Sequence, residues 1–392
     1  MVSKEIMEKS VQCFDCSNPH CAKGCPLQMD IPKMIKYVKE ENLDSAYRTI
    51  LEKSYMGSIC GRVCSHDMQC EGECVRGISS KPVSIGVIEQ YVADWGIKNV
   101  KEEMPEISKG KVAVIGSGPA GLTCSIELRK KGYDVTIFER ENVLGGILRY
   151  IPEYRLQNTI VDAVIENILQ YGIKVQKNKI FGIDFTLDDL KEQGFCAIFL
   201  GIGNDMSKQL KIHGANLEGV YWANDFLRDI NQIKFENVVV VGGGNVAMDA
   251  CRMAKHKGAK NVTVLYRKTK DLMKASREEI KKAEEEGVQF RFQTLPKEIA
   301  GIKHVTKVIC DNKDVIEADL VIMAIGALPN YAILPDAMKF SDDSLILVNE
   351  EGETTVNGIF AGGDVICKRA TVCGAIKSAK IAAEGIDKKL RT

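Results

Sequence analysis

A chain of 392 residues with 45% hydrophobic content is long enough for two or three domains with sizeable cores. Its 53 basic and 53 acidic side chains cancel to zero net charge, which offers nothing to nucleic acid or to an anionic membrane surface. No apolar run approaches the ~18 residues of a membrane span, and the opening Met-Val-Ser-Lys-Glu-Ile lacks an apolar signal region, so a cytoplasmic protein is expected.

The first 74 residues hold eight of the fourteen cysteines, as Cys13-x2-Cys16-x4-Cys21-x3-Cys25-Pro26 and Cys60-x3-Cys64-x5-Cys70-x3-Cys74. In a reducing compartment, thiols spaced this closely are metal ligands rather than disulfides. Zinc takes thiolate tetrads readily. The first run, however, resembles the ferredoxin spacing that ends in Cys-Pro, with a longer second interval. Two 4Fe–4S clusters are favoured over structural zinc, because the cofactors expected downstream transfer electrons and zinc does not. Pairing need not follow the two runs, since in two-cluster ferredoxins the last cysteine of one run ligates the other cluster. A crossed arrangement would put Cys13, Cys16, Cys21 and Cys74 on one cluster. Cys25, Cys64 and Cys70 would begin the other, with Cys60 either its fourth ligand or displaced. Apolar positions from Met34 to Leu51 have helical spacing, and residues 1–105 are expected to form a mostly helical cluster domain.

Beyond residue 105 one pattern occurs twice. Lys111-Val-Ala-Val-Ile-Gly-Ser-Gly-Pro-Ala-Gly-Leu122 and Asn237-Val-Val-Val-Val-Gly-Gly-Gly-Asn-Val-Ala-Met248 each run from a β-branched strand through a glycine turn into a helix. Each is followed by a second strand, Val135–Phe138 or Val262–Leu265. Each then meets an apolar run ending in glycine, Ile198–Gly203 or Val321–Gly326. A dinucleotide-binding turn needs three positions with little or no side chain, for the bend, the pyrophosphate and the helix–strand contact. Gly116, Gly118 and Gly121 supply them in the first copy, and Gly242, Gly244 and Ala247 in the second. The helix that follows offers free N–H groups and the positive end of its dipole to phosphate.

The residue ending the next strand separates the two copies. Glu139, followed by Arg140, is placed to accept from ribose hydroxyls, so the first copy suits the adenosine of FAD or NAD. Tyr266 stands there in the second copy, followed by Arg267 and Lys268, which suits the 2′-phosphate of NADPH. Near the C-terminus, Gly358-Ile-Phe-Ala-Gly-Gly363-Asp364 precedes Thr371-Val372, where a helix begins. Asp364 can accept from ribityl hydroxyls, and that helix N-terminus can face a reduced flavin ring. The expected FAD contacts are therefore Gly116, Gly118, Pro119, Ala120, Gly121, Glu139, Arg140, Gly146, Gly363, Asp364, Thr371 and Val372. Those for NADPH are Gly242, Gly243, Gly244, Asn245, Val246, Ala247, Arg267, Lys268 and Gly326. The six cysteines outside the two runs look structural, with Cys124 and Cys251 at matching positions on the two turn helices. The flavin region has no Cys-x-x-Cys pair, which argues against a disulfide reductase. The charged stretch Lys268–Gly287 reads as a solvated helix.

Taken together, the cysteine runs, Pro82-Val-Ser-Ile-Gly-Val-Ile-Glu-Gln90, the two turns, Leu144-Gly-Gly-Ile-Leu148 and Ala-Gly-Gly-Asp364 resemble the glutamate synthase small-subunit family. That family also takes in the N-terminal half of dihydropyrimidine dehydrogenase, its bacterial flavin subunit, and the flavin subunit of bifurcating transhydrogenases. The resemblance covers essentially the whole chain. It implies the crossed pairing, with Glu89 as fourth ligand of the second cluster beside Cys25, Cys64 and Cys70, and Cys60 left out. It also implies an α/β fold of two Rossmann-like domains, one inserted in the other, behind the helical cluster domain. The expected boundaries are 1–105 for the clusters, 106–228 and 326–392 for FAD, and 229–325 for NADPH. Two departures stand out: Arg149-Tyr150-Ile151-Pro152 lacks a glycine usual in that loop, and Lys274 stands where proline is usual. The loop beside the flavin is thus expected to follow another path, and the one beside NADPH to be less rigid.

The expected reaction is hydride transfer from NADPH to the flavin, then single-electron relay through the clusters to a partner subunit. With five histidines and no triad or carboxylate pair, side-chain acid–base chemistry is not expected, and catalysis rests on positioning and potential. Alternatives are a dihydropyrimidine dehydrogenase or transhydrogenase subunit, a stand-alone NADPH oxidoreductase with a small acceptor, and a non-catalytic scaffold.

Overall fold

The computed structural model describes residues 2–204, 206–208, 210–229, 233–367 and 370–391. The chain divides into two compact units: Met1–Arg149 with Glu153–Asn204 and Pro329–Thr392, and Tyr150–Pro152 with Asp205–Leu328. No helix among the described residues is long and apolar enough to cross a membrane.

The first unit opens with short helices and continues into a parallel sheet. Apolar residues from Met34 to Leu51 do not make one helix. Ile31–Lys39 ends near Glu41, which is left-handed at φ 57°, and Asn42 then caps Leu43–Leu51 by accepting the Ser45 N–H at 3.0 Å. Folding back on itself buries both apolar faces, Met34, Ile35 and Val38 on one side and Ala46, Tyr47 and Ile50 on the other. Helices Gly57–Val63 and Ile85–Asn99 cross with almost no side-chain separation. A Cβ on Gly61 would lie 2.8 Å from Gly86 O and 2.7 Å from Gln90 N. Gly24 makes another close approach, and a Cβ there would lie 2.9 Å from Gln69 O. That contact lays the end of the first cysteine run against the second run.

The sheet of this unit has five parallel strands in the order Ile359–Ala361, Phe195–Leu200, Lys111–Ile115, Asp134–Phe138 and Lys174–Gln176. The second unit repeats it as Val220–Trp222, Leu320–Met323, Asn237–Val241, Asn261–Tyr266 and Gln289–Phe292. The likeness extends to single hydrogen bonds. Gly116 N–H donates to Phe138 O at 2.8 Å and Gly242 N–H to Leu265 O at 3.0 Å, and Gly201 N–H donates to Ile115 O and Ala324 N–H to Val241 O, both at 2.8 Å. All-parallel sheets are buried on both faces, which explains the near-continuous Val and Ile runs. A three-stranded antiparallel sheet, Pro296–Gly301, Val305–Cys310 and Val315–Glu317, covers one face of the second sheet through Ile299, Val308 and Cys310.

The stretch Lys268–Gly287 differs from the solvated helix expected of it. Its helix spans only Arg277–Glu285, and Glu279 is buried in an ion pair with the buried Arg252, which also binds Glu286 at 2.6 Å. Cys124, Cys251 and Cys310 are buried apolar neighbours, as a structural role requires, whereas Cys196 is exposed.

Candidate functional site

The glycines of the first turn are dictated by sterics. Gly116 is left-handed at φ 94°, and a Cβ on Gly121 would lie 1.9 Å from Gly116 O. Gly118, by contrast, faces open space and caps the helix Pro119–Lys130, with Pro119 at its first position and Ala120 buried behind it. That is the cradle a pyrophosphate needs: unpaired N–H groups, a dipole and no side chain in the way. Glu139 ends the next strand as a buried carboxylate, while Arg140 is exposed and pairs with Glu141 at 3.2 Å. Gly146 folds back so that a Cβ on it would lie 3.1 Å from Gly118 Cα. In the departing loop, Arg149 is anchored by donating to Leu144 O at 2.6 Å and to Asp162 at 2.6 Å.

The C-terminal half closes on the same turn. A Cβ on Gly363 would lie 2.9 Å from Ala120 Cβ, and Gly363 itself is left-handed at φ 83°. Asp364 is half-buried, and desolvation pushes its carboxyl up to about 6. Its carbonyl accepts from Asn204 Nδ2 at 2.8 Å, leaving Asn204 Oδ1 buried without a partner among the described residues. A hydroxyl of a bound group would satisfy that orphan acceptor, so the residues fit a flavin side chain here. Thr371 accepts the Gly374 N–H at 3.1 Å, and the long helix Val372–Arg391 starts beside it.

In the second unit, Gly242 is left-handed at φ 146°, and a Cβ on it would lie 2.3 Å from Ala324 O. Gly243 lies against the Tyr266 ring, 2.5 Å from where its Cβ would be, and its carbonyl accepts from Lys274 N at 3.0 Å. Gly244 faces open space as the cap of Asn245–His256. Asn245 Oδ1 accepts the Ser276 N–H at 3.0 Å, Val246 is partly exposed and Ala247 fully buried. Arg267 and Lys268 are exposed after strand Asn261–Tyr266, and no carboxylate pairs with either among the described residues. Gly326 is left-handed at φ 104°, and its carbonyl accepts from Lys208 N at 3.0 Å.

The cysteines sort into two groups. Cys13, Cys16, Cys21 and Cys74 line one small pocket, walled by Ile31, Ile35, Val83 and Ile85. Burial pushes the Cys21 thiol up to about 11, and the neighbouring Cys74, Cys13 and Cys16 push in the same direction. The second group is more enclosed. Glu89 is buried on the helix Ile85–Asn99, and burial pushes its carboxyl up to about 8. Cys25 and Cys70 lie within electrostatic range of it, their thiols likewise raised by burial. Cys64 follows Cys60 by one helical turn, its N–H donating to Cys60 O at 3.1 Å, and Cys60 and Cys373 both lie within electrostatic range of Glu89. Four soft donors around a pocket, and three near a buried carboxylate, are donor sets that fit iron–sulfur ligation. Among the described residues, no three such groups converge as they would around a single ion.

Cys373 was invisible as part of this group from sequence spacing, because it sits in the C-terminal helix. Gln69 also joins it, donating through Nε2 to Cys373 Sγ at 3.6 Å. Ser117, which binds Glu139, is another contributor that the glycine pattern passes over.

Residues 110–384 match the pyridine nucleotide-disulphide oxidoreductase family, and residues 1–101 match dihydropyrimidine dehydrogenase domain II, 4Fe-4S cluster. The glutamate synthase [NADPH] small chain of Azospirillum brasilense is 33% identical, over 97% of this chain and 88% of that one. The NAD-dependent dihydropyrimidine dehydrogenase subunit PreT of Escherichia coli O157:H7 is also 33% identical, over 97% and 93%. Among solved structures, Mycobacterium tuberculosis FprA in complex with NADPH aligns with a TM-score of 0.63 at 17% identity, over 72% of this chain and 85% of that one. Thioredoxin reductase of T. acidophilum aligns at 0.60 and 21%, over 72% and 100%.

Proposed function

This chain belongs to the pyridine nucleotide-disulphide oxidoreductase family, and we propose that it passes electrons from NADPH through FAD and two 4Fe–4S clusters to a partner subunit. Family membership and the iron–sulfur domain make it a flavoprotein oxidoreductase with 4Fe–4S chemistry. When bound, the nicotinamide supplies a hydride, the flavin converts a two-electron donor into single electrons, and the clusters carry these onward.

What the chain itself contributes is position and field. The turn at Gly116–Gly121 and the first N–H groups of Pro119–Lys130 hold the FAD pyrophosphate, while Glu139 and Asp364 accept from its hydroxyls. The N-terminus of Val372–Arg391 would offer the positive end of its dipole to a bound flavin ring and favour negative charge there. Gly242, Gly244 and Ala247 do the same for the second pyrophosphate, and Arg267 with Lys268 meets the 2′-phosphate. Cys13, Cys16, Cys21 and Cys74 hold one cluster; Cys25, Cys64, Cys70 and Glu89 hold the other.

One observation carries this reading. Gln69, beside Cys70 in the second cysteine run, donates through Nε2 to the sulfur of Cys373 at 3.6 Å, on the first turn of the same helix that completes the flavin site. The second cysteine run and the flavin cradle are therefore in direct contact, as an electron relay requires.

Anaerobic reconstitution tests it. About eight iron and eight sulfide per chain are expected, and NADPH should bleach the flavin and raise cluster signals in electron paramagnetic resonance. Stoichiometric zinc without labile sulfide would overturn the relay. A dihydropyrimidine dehydrogenase-type partner is the second reading, supported by the equal 33% identity to PreT. Co-purification of the partner subunit separates the two.

A further inference from the structure

Lys274 has no role in the assignments above, yet the fold brings it to the second glycine turn. Strand Asn261–Tyr266 ends in a tyrosine whose hydroxyl donates to Leu272 O at 2.6 Å, so the chain after Arg267 and Lys268 bends back toward that turn. Lys274 N–H then donates to Gly243 O at 3.0 Å, and Ala275 N–H to the same oxygen at 3.1 Å. Ser276 N–H follows, donating to Asn245 Oδ1 at 3.0 Å. A proline at 274 would lose the first of these bonds. Met273, Ala275 and Ser276 are buried, whereas Lys274 between them is exposed. Among the described residues no carboxylate pairs with it, although the nearby Lys270 is paired with Glu284 at 2.6 Å. An unpaired ammonium is thus held within one side chain's reach of a phosphate-binding turn.

The turn has two sides. Gly244 faces open space at the helix cap, where a pyrophosphate fits. Gly243 lies instead against the Tyr266 ring, at the strand end where a ribose belongs. The first turn marks the same side with Ser117 and Glu139 in the matching positions, joined at 2.9 Å. There a carboxylate stands where a 2′-phosphate would come, and would repel it. Lys274 is bonded to Gly243, so it stands on the ribose side of the second turn. We infer, on the reading that NADPH binds at this turn, that Lys274 is a third cation for its 2′-phosphate beside Arg267 and Lys268, and a determinant of the preference for NADPH over NADH. A phosphate monoester carries a charge near −2 and three strong acceptor oxygens, more than one guanidinium satisfies. NADH offers nothing at that position, so the contact discriminates between the two nucleotides.

The test uses the full chain, loaded with FAD so that the first turn is occupied, as wild type, Lys274→Gln and Lys274→Arg. Both variants keep the N–H that bonds Gly243. Affinities for 2′,5′-ADP and 5′-AMP, which differ only in the 2′-phosphate, are measured by isothermal titration calorimetry. Wild type should prefer 2′,5′-ADP. Lys274→Gln should lower that preference roughly three- to ten-fold, the loss of one exposed charge-assisted contact, and flatten its salt dependence. Lys274→Arg should restore most of it. The ratio of kcat/KM for NADPH to that for NADH, with ferricyanide as acceptor, should shift by the same factor. An unchanged preference in Lys274→Gln, beside a wild type that discriminates, would overturn the inference alone. So would equal weakening of both probes, which would place the role of the lysine in the loop or at the 5′-phosphate. A wild type that does not distinguish the probes would overturn the 2′-phosphate reading itself, and this inference with it.

Discussion

Glu139 reaches back across the first phosphate turn to Ser117. Its Oε2 accepts the Ser117 N–H at 2.9 Å and also the Ser117 hydroxyl, while Oε1 accepts the Glu141 N–H at 2.9 Å. Ser117 Oγ in turn accepts the Gly145 N–H at 3.1 Å. The carboxylate expected to meet a ribose therefore also ties the glycine turn to the loop through Gly145. Glu139→Ala should lose both functions and weaken FAD binding by about 10- to 100-fold, since buried bonds to a charged group are worth roughly 1.5–3 kcal/mol each. Ser117→Ala should cost less, because Glu139 keeps the backbone donors. Flavin fluorescence on dilution measures both, and unchanged FAD retention in Glu139→Ala would refute the arrangement.

The nucleotide preference depends on charge at one strand end. Arg267 and Lys268 are exposed after strand Asn261–Tyr266, without a carboxylate partner among the described residues. Arg267→Ala should lower kcat/KM for NADPH by roughly 1–3 kcal/mol in ΔΔG‡ while leaving NADH nearly unchanged. Ferricyanide as acceptor keeps the measurement independent of any partner subunit. Equal losses for both nucleotides would place the 2′-phosphate elsewhere.

The parts legible in the sequence are those fixed by backbone sterics. Gly116 and Gly121 cannot carry a side chain without meeting Gly201 O or Gly116 O, so the turns announce themselves. Duplication then makes the sheet order readable, because the same pattern must build the same sheet. The illegible parts depend on partners distant in the chain. Local periodicity runs straight through Glu41, and only packing of Leu43–Leu51 back against Ile31–Lys39 breaks the helix there. Glu279 lies in a stretch that reads as solvated, and its burial is explained by Arg252, which it meets across two helices. The bond from Gln69 to Cys373 is of the same kind: neither motif predicts the other.

Asp387 offers a prediction in pH. It is buried near the end of Val372–Arg391 and accepts from Lys109 Nζ at 2.8 Å and Tyr133 Oη at 3.0 Å, with Arg391 Nη2 at 2.7 Å. Burial alone would raise its carboxyl, but Lys109, Tyr133 and Lys131 hold it below the usual carboxylate range. A depressed folded-state pKa means that the stabilisation is present above the unfolded value and is lost as pH falls through the folded one. Asp387→Asn should therefore cost roughly 2–4 kcal/mol at neutral pH. The gap to wild type should close in acid, below about pH 4. Urea melts at several pH values measure it, and a gap independent of pH would show that the network is not ionic.

The two ways of pairing cysteines with clusters make opposite demands on Cys60 and Cys74. If each run held its own cluster, Cys60 would be a ligand and Cys74 would pair with its own run. The geometry groups them otherwise: Cys74 lines the cavity of Cys13, Cys16 and Cys21, and Gly24 brings the two runs close enough for that exchange. Cys60 lies buried one helical turn before Cys64, whose N–H donates to Cys60 O at 3.1 Å, while the buried Glu89 lies within electrostatic range of Cys25 and Cys70. Cys60→Ser should then keep close to the wild-type iron content, because no iron loses a ligand. Cys74→Ser should damage the cluster of Cys13, Cys16 and Cys21. Glu89→Ala should disturb the other, by a shifted potential or a three-iron form, since a carboxylate is a harder and more weakly held iron ligand than thiolate. Electron paramagnetic resonance of the reduced variants resolves which signal is touched. A Cys60→Ser protein that lacks one whole cluster, beside an unaltered Glu89→Ala, would return the ligation to one cluster per run.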